Sequence, residues 1–287
     1  MTNPFAAARP RAYSSVLAAY LFAAAAPLAC GSTVAAASDM QMNNMPMNGM
    51  PMKSAPAPVY QWSGCYAGLN GGGGAGSANY TTTVGGSPVS YLNTGDPQEV
   101  ENDGTGSANN SNVLGGGQAG CNWQTGTVVY GIEADFDYFH STSAFFNNTN
   151  TLPNLAIPFV IGQSVTTNYL ATVRPRVGIA ADRNFAYITG GAAFTTASYT
   201  ESYVDGNVPA GTGAASASKF LTGWAAGAGW EYALTDHWLV RFEYLFTAFP
   251  KTNATGSITG PGAPPNSLLG SADLVIQVAR AGMNFKF

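Results

Sequence analysis

The sequence has few charged residues and no long apolar run beyond its N-terminal segment. Charged residues make up 9% of the 287 residues, against about 25% in ordinary soluble proteins. No later apolar stretch reaches the ~18 residues of a membrane-spanning helix. The net charge is −4, and no lysine or arginine cluster could follow phosphates, so nucleic acid is not an expected partner. No Ser/His/Asp-type constellation can be named, so neither a catalytic residue, a cofactor nor an enzyme is expected.

Glycine and aromatic residues are abundant instead. The chain has 35 Gly, and Phe, Trp and Tyr together make up 12% of it. These residues occur in short alternating segments separated by turn residues. A low content of charged residues together with these alternating segments favours a membrane β-barrel. A secreted all-β adhesin is the alternative.

The N-terminus predicts an export signal over residues 1–37. Arg9 and Arg11 precede an apolar stretch at residues 16–28, and small residues follow before the expected cleavage point. A lipoprotein signal with acylated Cys30 is the alternative.

Residues 38–60 predict a disordered tether rich in Met, Pro and Ala. Its closely spaced thioethers suggest a soft-metal site for Cu(I) or Ag(I), and a flexible linker of biased composition is the plainer interpretation. The methionines concerned are Met40, Met42, Met45, Met47, Met50 and Met52.

From residue 61 to residue 287 the pattern predicts one all-β domain with eight antiparallel strands. Each predicted strand is close to the ~9–11 residues with which a tilted strand crosses a bilayer. The predicted strands are 61–71, 113–123, 128–138, 167–179, 185–196, 221–233, 237–246 and 274–287.

Short and long connections alternate strictly between these strands. The short ones are tight turns with typical turn residues. An up-and-down transmembrane barrel has this alternation, because its periplasmic turns are short and its extracellular loops long. The long connections are predicted at 72–112, 139–166, 197–220 and 247–273.

The strand residues divide into two faces with opposite chemistry. Aromatic residues on one face suit lipid, with a girdle at the interfaces. Charges on the other face predict a lumen network that plugs the barrel, and a catalytic carboxylate pair or an ion path is the alternative. The girdle residues are Trp224, Trp230, Trp238 and Tyr244. The network residues are Glu133, Asp135, Asp137, Arg174, Arg176, Glu231, Arg241, Glu243 and Arg280.

Three residues raise separate expectations. Pro175 lies inside a predicted strand and has no N–H to donate, so a local bulge is expected there.

Aligning Trp62 with Gln124 places Cys65 opposite Cys121 near one barrel end. An oxidising compartment then favours a disulfide, and two free apolar thiols are the alternative.

The C-terminal strand resembles the assembly signal of bacterial outer-membrane barrels. Phe285 and Phe287 share one face, while Arg280 and Gly282 lie on the other. The resemblance implies that the barrel assembly machinery of the cell is a partner and that the strand closes the barrel.

Several further segments resemble the small porin-like outer-membrane β-barrel proteins of Gram-negative bacteria, often called outer-membrane immunogenic proteins. They are 60–68, 115–124, 131–136, 172–178, 189–194 and 223–232. The resemblance implies a surface antigen in contact with outer-membrane lipid. The expected function is therefore structural, with a plugged lumen and displayed loops. A narrow porin-like channel and a haem- or copper-binding surface protein are the alternatives, and no motif indicates the extracellular partner.

Overall fold

Eight antiparallel strands form one closed up-and-down barrel. The computed structural model describes residues 60–287 except 148 and 149. Each strand pairs with its sequence neighbours, and β1 closes the barrel against β8. The strands are β1 (Gly64–Gly85), β2 (Gly106–Thr125), β3 (Val128–Asn147), β4 (Phe159–Ala181), β5 (Asn184–Asp205), β6 (Thr212–Ala233), β7 (Trp238–Thr259) and β8 (Asn266–Lys286). The predicted fold class and strand number are confirmed.

One short helix interrupts this pattern in the described part of the chain. It is α1 (Asp96–Asp103), in the connection between β1 and β2. None of the described helical structure is long and apolar enough to span a bilayer.

The strands are about twice as long as predicted. They contain 20 to 23 residues, whereas about 9–11 residues cross a bilayer. Most of each predicted long loop is therefore strand, and those loop boundaries are wrong. The connections at this end, which we call the loop end, are 86–105, 148–158, 206–211 and 260–265. The opposite, turn end has connections 126–127, 182–183 and 234–237, so the alternation of short and longer connections remains.

In the half of the barrel nearest the turn end, the outer face is apolar and aromatic. Outward-facing rings form two belts about eight residues apart along the strands, and both aliphatic side chains and further rings, such as Phe136 and Phe242, lie between them. This arrangement is typical of a barrel in a bilayer. The belt nearest the turn end contains Trp123, Tyr130, Trp230, Trp238 and Phe285. The second belt contains Tyr138, Tyr169, Phe194, Phe220, Trp224 and Phe246.

In the half nearest the loop end, the two faces exchange their chemistry. The outer face has hydroxyl pairs between strands, such as Ser164 with Thr200 at 2.7 Å and Ser198 with Ser218 at 3.0 Å. The interior is a hydrophobic core, as in a soluble barrel. Its large members include Tyr80, Phe139, Phe159, Ile161, Val165, Tyr199, Tyr203, Ile258 and Leu268.

Pro175 causes no bulge, so that expectation is wrong. Its partner on β3 is Ile132, in an unbroken register. On the β5 side the pairs Val173↔Ala192 and Arg176↔Thr189 share one register, so the missing N–H interrupts the ladder without shifting it. The register shift between β4 and β5 lies nearer the loop end, between Thr167 and Ala171.

Candidate functional site

The structure brings all nine predicted lumen charges together in one buried layer. They come from β3, β4, β6, β7 and β8, and none is more than 5% exposed. Period-two alternation explains the arrangement, because every second residue of each strand points inward. Five carboxylates face four guanidinium groups, which leaves one excess negative charge.

Glu243 is one centre of this layer. Its carboxylate pairs with Arg174 at 3.2 Å, with Arg241 at 3.0 Å and with Arg280 at 2.6 Å. These arginines lie on three different strands, so a single carboxylate connects β4, β7 and β8 across the lumen. Charge-assisted bonds of this kind are roughly twice as strong as neutral hydrogen bonds.

Glu133 is the second centre. It pairs with Arg241 at 2.5 Å, with Arg174 at 3.0 Å and with Arg176 at 3.5 Å. Asp135 adds ion pairs to Arg174 at 2.8 Å and to Arg280 at 3.1 Å. Glu133 and Glu243 therefore share Arg174 and Arg241, and the layer forms one connected network.

The two remaining carboxylates each have a single cation. Glu231 pairs with Arg176 at 2.6 Å, and Asp137 pairs with Arg280. Removing either arginine would leave its carboxylate without any ion pair, which is costly inside a protein.

Aromatic rings surround Arg176 on the side of the turn end. Its guanidinium carbon lies 4.8 Å from the ring centre of Tyr66, 5.0 Å from Tyr187 and 5.4 Å from Phe185. The Tyr66 hydroxyl donates to Glu133 at 2.5 Å. The rings thus separate the charges from the turn-end mouth and also supply cation–π contacts.

An apolar cluster lies inside the barrel at the turn end. Trp62 is fully buried and packs on Phe185 with ring centres 5.1 Å apart. Its indole N–H donates to the carbonyl of Asp182 at 3.0 Å, and its backbone N–H donates to Gln124 Oε1 at 2.8 Å. Burial raises the pKa of the neighbouring Tyr60 to about 12, so its phenol is protonated at neutral pH. The cluster consists of Tyr60, Trp62, Val129, Ala180, Phe185, Tyr187, Ala233 and Leu239.

The hydrophobic core described above lies inside the barrel at the loop end, and residues of the first connection pack into it. Tyr91, Leu92 and Val100 are buried in this core, together with Leu152 from the β3–β4 connection. Along the barrel axis, the buried side chains therefore form three successive layers: apolar, ionic and apolar.

The comparisons with known proteins agree with this architecture. A family described as "outer membrane protein beta-barrel domain" matches residues 48–263. The 31 kDa outer-membrane immunogenic protein of Brucella melitensis biotype 1 is 30% identical over 236 residues, which cover 82% of this chain and 87% of the relative.

The chain belongs to the outer-membrane β-barrel family.

Its location is the bacterial outer membrane, so the turn end is periplasmic and the loop end extracellular. The 25 kDa outer-membrane immunogenic protein of Brucella abortus biovar 1 is 28% identical over 80% of this chain and 82% of that protein. The outer-membrane protease OmpT of Escherichia coli superposes with a TM-score of 0.41 at 8% identity, over 80% of this chain and 99% of OmpT. That score is too low to carry any argument about activity.

The four predicted girdle residues of this outer-membrane β-barrel all face outward. Trp230 and Trp238 lie in the belt nearest the periplasmic turn end, and Trp224 lies in the second belt. Tyr244 lies on β7 between Trp238 of the first belt and Phe246 of the second, two residues from Phe246. Its hydroxyl donates to Gln277 Oε1 at 2.8 Å, which gives this phenol a partner within the apolar band.

The predicted assembly-signal residues lie on β8 and just beyond it. Phe285 and Phe287 face outward with ring centres 5.8 Å apart, and Trp238 lies 5.1 Å from Phe285. Gly282 and Arg280 lie on the inner face, and Arg280 belongs to the charge network. The backbone N–H of Phe287 donates to the carbonyl of Cys65 at 3.0 Å, which extends the contact between the two ends of the barrel chain.

Cys65 and Cys121 are direct partners in the β1–β2 register and are joined in a disulfide. Both side chains lie on the lipid-facing side near the periplasmic end. The bond is therefore remote from the charge network and connects two strands that are already paired.

The predicted soft-metal methionines lie outside the described residues. Within residues 60–147 and 150–287, no group of three His, Cys, Asp or Glu side chains could hold a metal ion. His140 contacts Asn168 through Nδ1 at 2.7 Å, and His237 contacts the carbonyl of Lys286 at 2.9 Å. The two histidines lie on opposite halves of the barrel.

Sequence reasoning missed the side chains whose hydrogen bonds hold the extracellular connections in place over the barrel. Asp205 accepts hydrogen bonds from the Tyr91 hydroxyl at 2.8 Å, the Tyr203 hydroxyl at 3.0 Å, and the backbone N–H groups of Asn207 at 3.1 Å and Gly211 at 2.8 Å. One buried carboxylate thus joins the first and third extracellular connections. A detectable signal was the alternation in residues 198–203, where tyrosine and glutamate alternate with serine and threonine.

Two further carboxylates, Asp96 and Asp103, fasten α1 to the β3–β4 connection. Asp96 Oδ1 accepts from the backbone N–H of Asn154 at 2.7 Å, and Asp103 Oδ1 accepts from the side-chain amide of Asn150. Both carboxylates are buried. Burial raises the pKa of Asp103 above its usual value of 3.8.

This raised pKa predicts that α1 is held more firmly at acidic pH. A carboxyl pKa that is higher in the folded state gives stability that is fully present below the unfolded pKa and is lost as the pH rises through the folded pKa. Hydrogen exchange of residues 96–103 is expected to be slower at pH 4 than at pH 7, after correction for intrinsic exchange. Asp103→Asn keeps the acceptor for Asn150 and is expected to abolish the difference. An unchanged pH dependence in that variant would assign the effect to another group.

Proposed function

We propose that this outer-membrane β-barrel is a structural surface protein that does not conduct ions or solutes. The observation that supports the proposal is the three successive layers of buried side chains inside the barrel. A channel needs a continuous aqueous path, and an eight-stranded barrel has only enough interior width for side chains to fill. The connected ion pairs of the middle layer, in which every carboxylate has at least one arginine partner, favour a polar plug over a path for ions.

The extracellular half supports a role in display. Its strands continue about ten residues beyond the second aromatic belt. The β-sheet therefore holds the connections away from the membrane. The two shortest connections, 206–211 and 260–265, leave little backbone free to move. The relatives are named outer-membrane immunogenic proteins, and a surface position for this chain is consistent with those names.

Two measurements test the proposal together. Proteoliposomes with the purified protein are expected to swell no faster in small sugars than empty liposomes, while liposomes with a known porin swell rapidly. A peptide tag inserted between Ala210 and Gly211 is expected to bind antibody on intact cells. The same tag inserted between Asp182 and Arg183 is expected to bind only after the cells are permeabilised.

Swelling well above the empty control would contradict the sealed lumen and support the porin-like alternative. Equal labelling of both tags in intact cells would contradict the proposed orientation. Normal labelling with rapid swelling would retain display and reject the plug, so the two parts of the proposal can fail separately.

A further inference from the structure

The pairing between β1 and β2 contains few facing side chains. Seven successive pairs, from Gly68↔Gln118 to Gly74↔Asn112, each include at least one glycine. A pair with a glycine has no side-chain contact between its two residues, and such contacts are what stabilises one alignment of two strands over another. Glycine-rich strands therefore specify their register weakly and can slip. The native alignment of β1 with β2 needs a further source of register information.

The disulfide between Cys65 and Cys121 lies at the turn end of this glycine-rich stretch and supplies that information. The two cysteines are direct partners in the register. Diagonal neighbours in an antiparallel pair are about 7–8 Å apart, which is too far for a disulfide, because its Cα atoms lie within ~7 Å of each other. The bond is therefore compatible with the native register and not with a slipped one. β1 also closes the barrel against β8, so a slip of β1 along β2 would disturb the closure.

In the finished barrel the two sulfur atoms face lipid at the belt nearest the turn end. Cys121 lies two residues further into the membrane than Trp123, whose ring stacks on Tyr130 with ring centres 6.0 Å apart. Apolar side chains line the groove around the bond: Ala67, Ala119, Ile132, Val173 and Phe287. Thiol–disulfide exchange requires direct access of the attacking sulfur. A soluble protein oxidant has no such access to this groove once lipid covers it, so the bond has to form before the barrel enters the membrane.

We propose that a periplasmic thiol–disulfide oxidoreductase oxidises Cys65 and Cys121 before insertion, and that the bond sets the β1–β2 register during assembly. The thiolate of one cysteine attacks the disulfide of the oxidoreductase and forms a mixed disulfide. The other cysteine then attacks the first one's sulfur, which releases the oxidoreductase as a dithiol. Two electrons and two protons pass from the cysteine pair to the two sulfurs of the oxidoreductase. The proposal is independent of whether the lumen conducts.

The first test measures when the bond forms, in pulse-labelled cells depleted of the barrel assembly machinery. Free thiols are alkylated at each time point, and the peptide that joins Cys65 to Cys121 is quantified by mass spectrometry. Most of the unassembled chain, recognised on gels by its lack of heat-modifiability, is expected to contain the bond. In cells without periplasmic thiol oxidoreductases the same chain is expected to stay reduced. Unassembled chain that remains reduced in normal cells and is oxidised only on insertion would overturn the proposal.

The second test moves one cysteine out of register. Cys121→Ala with Ala119→Cys places the second thiol two positions along β2, so a bond to Cys65 enforces a slipped alignment. If oxidation precedes pairing, the assembled fraction is expected to fall about 10-fold, because the strand stagger no longer fits a closed barrel. Growth with a reductant is expected to restore assembly. A normally assembled variant with two free thiols would show that pairing precedes oxidation, and would overturn the proposal.

The matched control moves both cysteines and keeps the register. Ala67 and Ala119 are direct partners on the same outer face, so Ala67→Cys and Ala119→Cys, combined with Cys65→Ala and Cys121→Ala, shift the bond without changing the alignment. This variant is expected to assemble within about 2-fold of the native rate. Cys65→Ala with Cys121→Ala alone is expected to assemble about 3-fold more slowly, because only the glycine-rich pairs then specify the register. Assembly of that double variant at the native rate would contradict the register role of the bond.

Discussion

Replacing Arg174 with methionine is expected to lower the free energy of unfolding by about 3–5 kcal/mol, the usual cost of removing one partner of a buried ion pair. Arg174 is fully buried and pairs with Glu133, Asp135 and Glu243. Its loss raises the excess charge of the layer from −1 to −2, because five carboxylates then face three arginines. Urea unfolding of the protein in lipid vesicles measures the effect.

The surface pair between Arg183 and Asp236 provides a matched control. Its nitrogen–oxygen distance of 3.0 Å lies within the range of the buried Arg174 pairs. Its side chains, however, are 36% and 78% exposed. Arg183→Met is therefore expected to cost less than about 1 kcal/mol. Equal costs for the two variants would show that burial of the network contributes nothing to stability.

The direction of the charge imbalance gives a second check on the same network. Glu243→Gln reduces the excess charge from −1 to 0 and is expected to cost less than Arg174→Met. In a Glu243→Gln background, Arg174→Met should cost less than in the native protein, since the two groups contact each other and their effects are not additive. Strict additivity would contradict the connected network.

Replacing Trp62 with alanine is expected to destabilise the barrel by about 3–5 kcal/mol, as for other large aromatic residues in cores. The ring is fully buried at the periplasmic mouth, and its N–H hydrogen bond to the carbonyl of Asp182 would also be lost. Hydrogen exchange of residues 61–63 should become much faster, because this ring holds the segment under the barrel.

Trp123→Ala is the control for this substitution. Trp123 lies at the same end of the barrel, but it faces lipid and is 48% exposed. Its loss is expected to reduce stability clearly less than the loss of Trp62, and to leave the exchange of residues 61–63 unchanged. A Trp62→Ala protein as stable as the Trp123→Ala protein would contradict the role of the aromatic ring in closing the mouth.

The membrane half of the fold could be predicted because the residues on the two faces of its strands differ strongly in polarity. Aromatic and charged residues alternate on β3 and β7, so the strand period, the two faces and the lumen charges follow from the pattern. The inward position of Trp62 did not follow. It precedes β1, and its burial depends on Phe185 and Asp182, which are more than a hundred residues away in the sequence.

The extracellular half was harder to predict, because several of its strand segments carry small or polar residues on both faces. In residues 107–112 and 214–218, serine, asparagine and alanine give little hydrophobic contrast, and such segments also have loop composition. Register with neighbouring strands holds them in the wall. The helix α1 was missed because eight residues with a weak apolar pattern cannot be distinguished from a loop by periodicity alone.

Single-channel recording on the purified native protein in planar bilayers tests the central claim most directly. The proposed sealed lumen predicts no stable conductance at either polarity, and Trp62→Ala should also stay closed because the ionic and extracellular layers of buried side chains remain. A large, long-lived and ion-selective conductance of the native protein would contradict the sealed lumen.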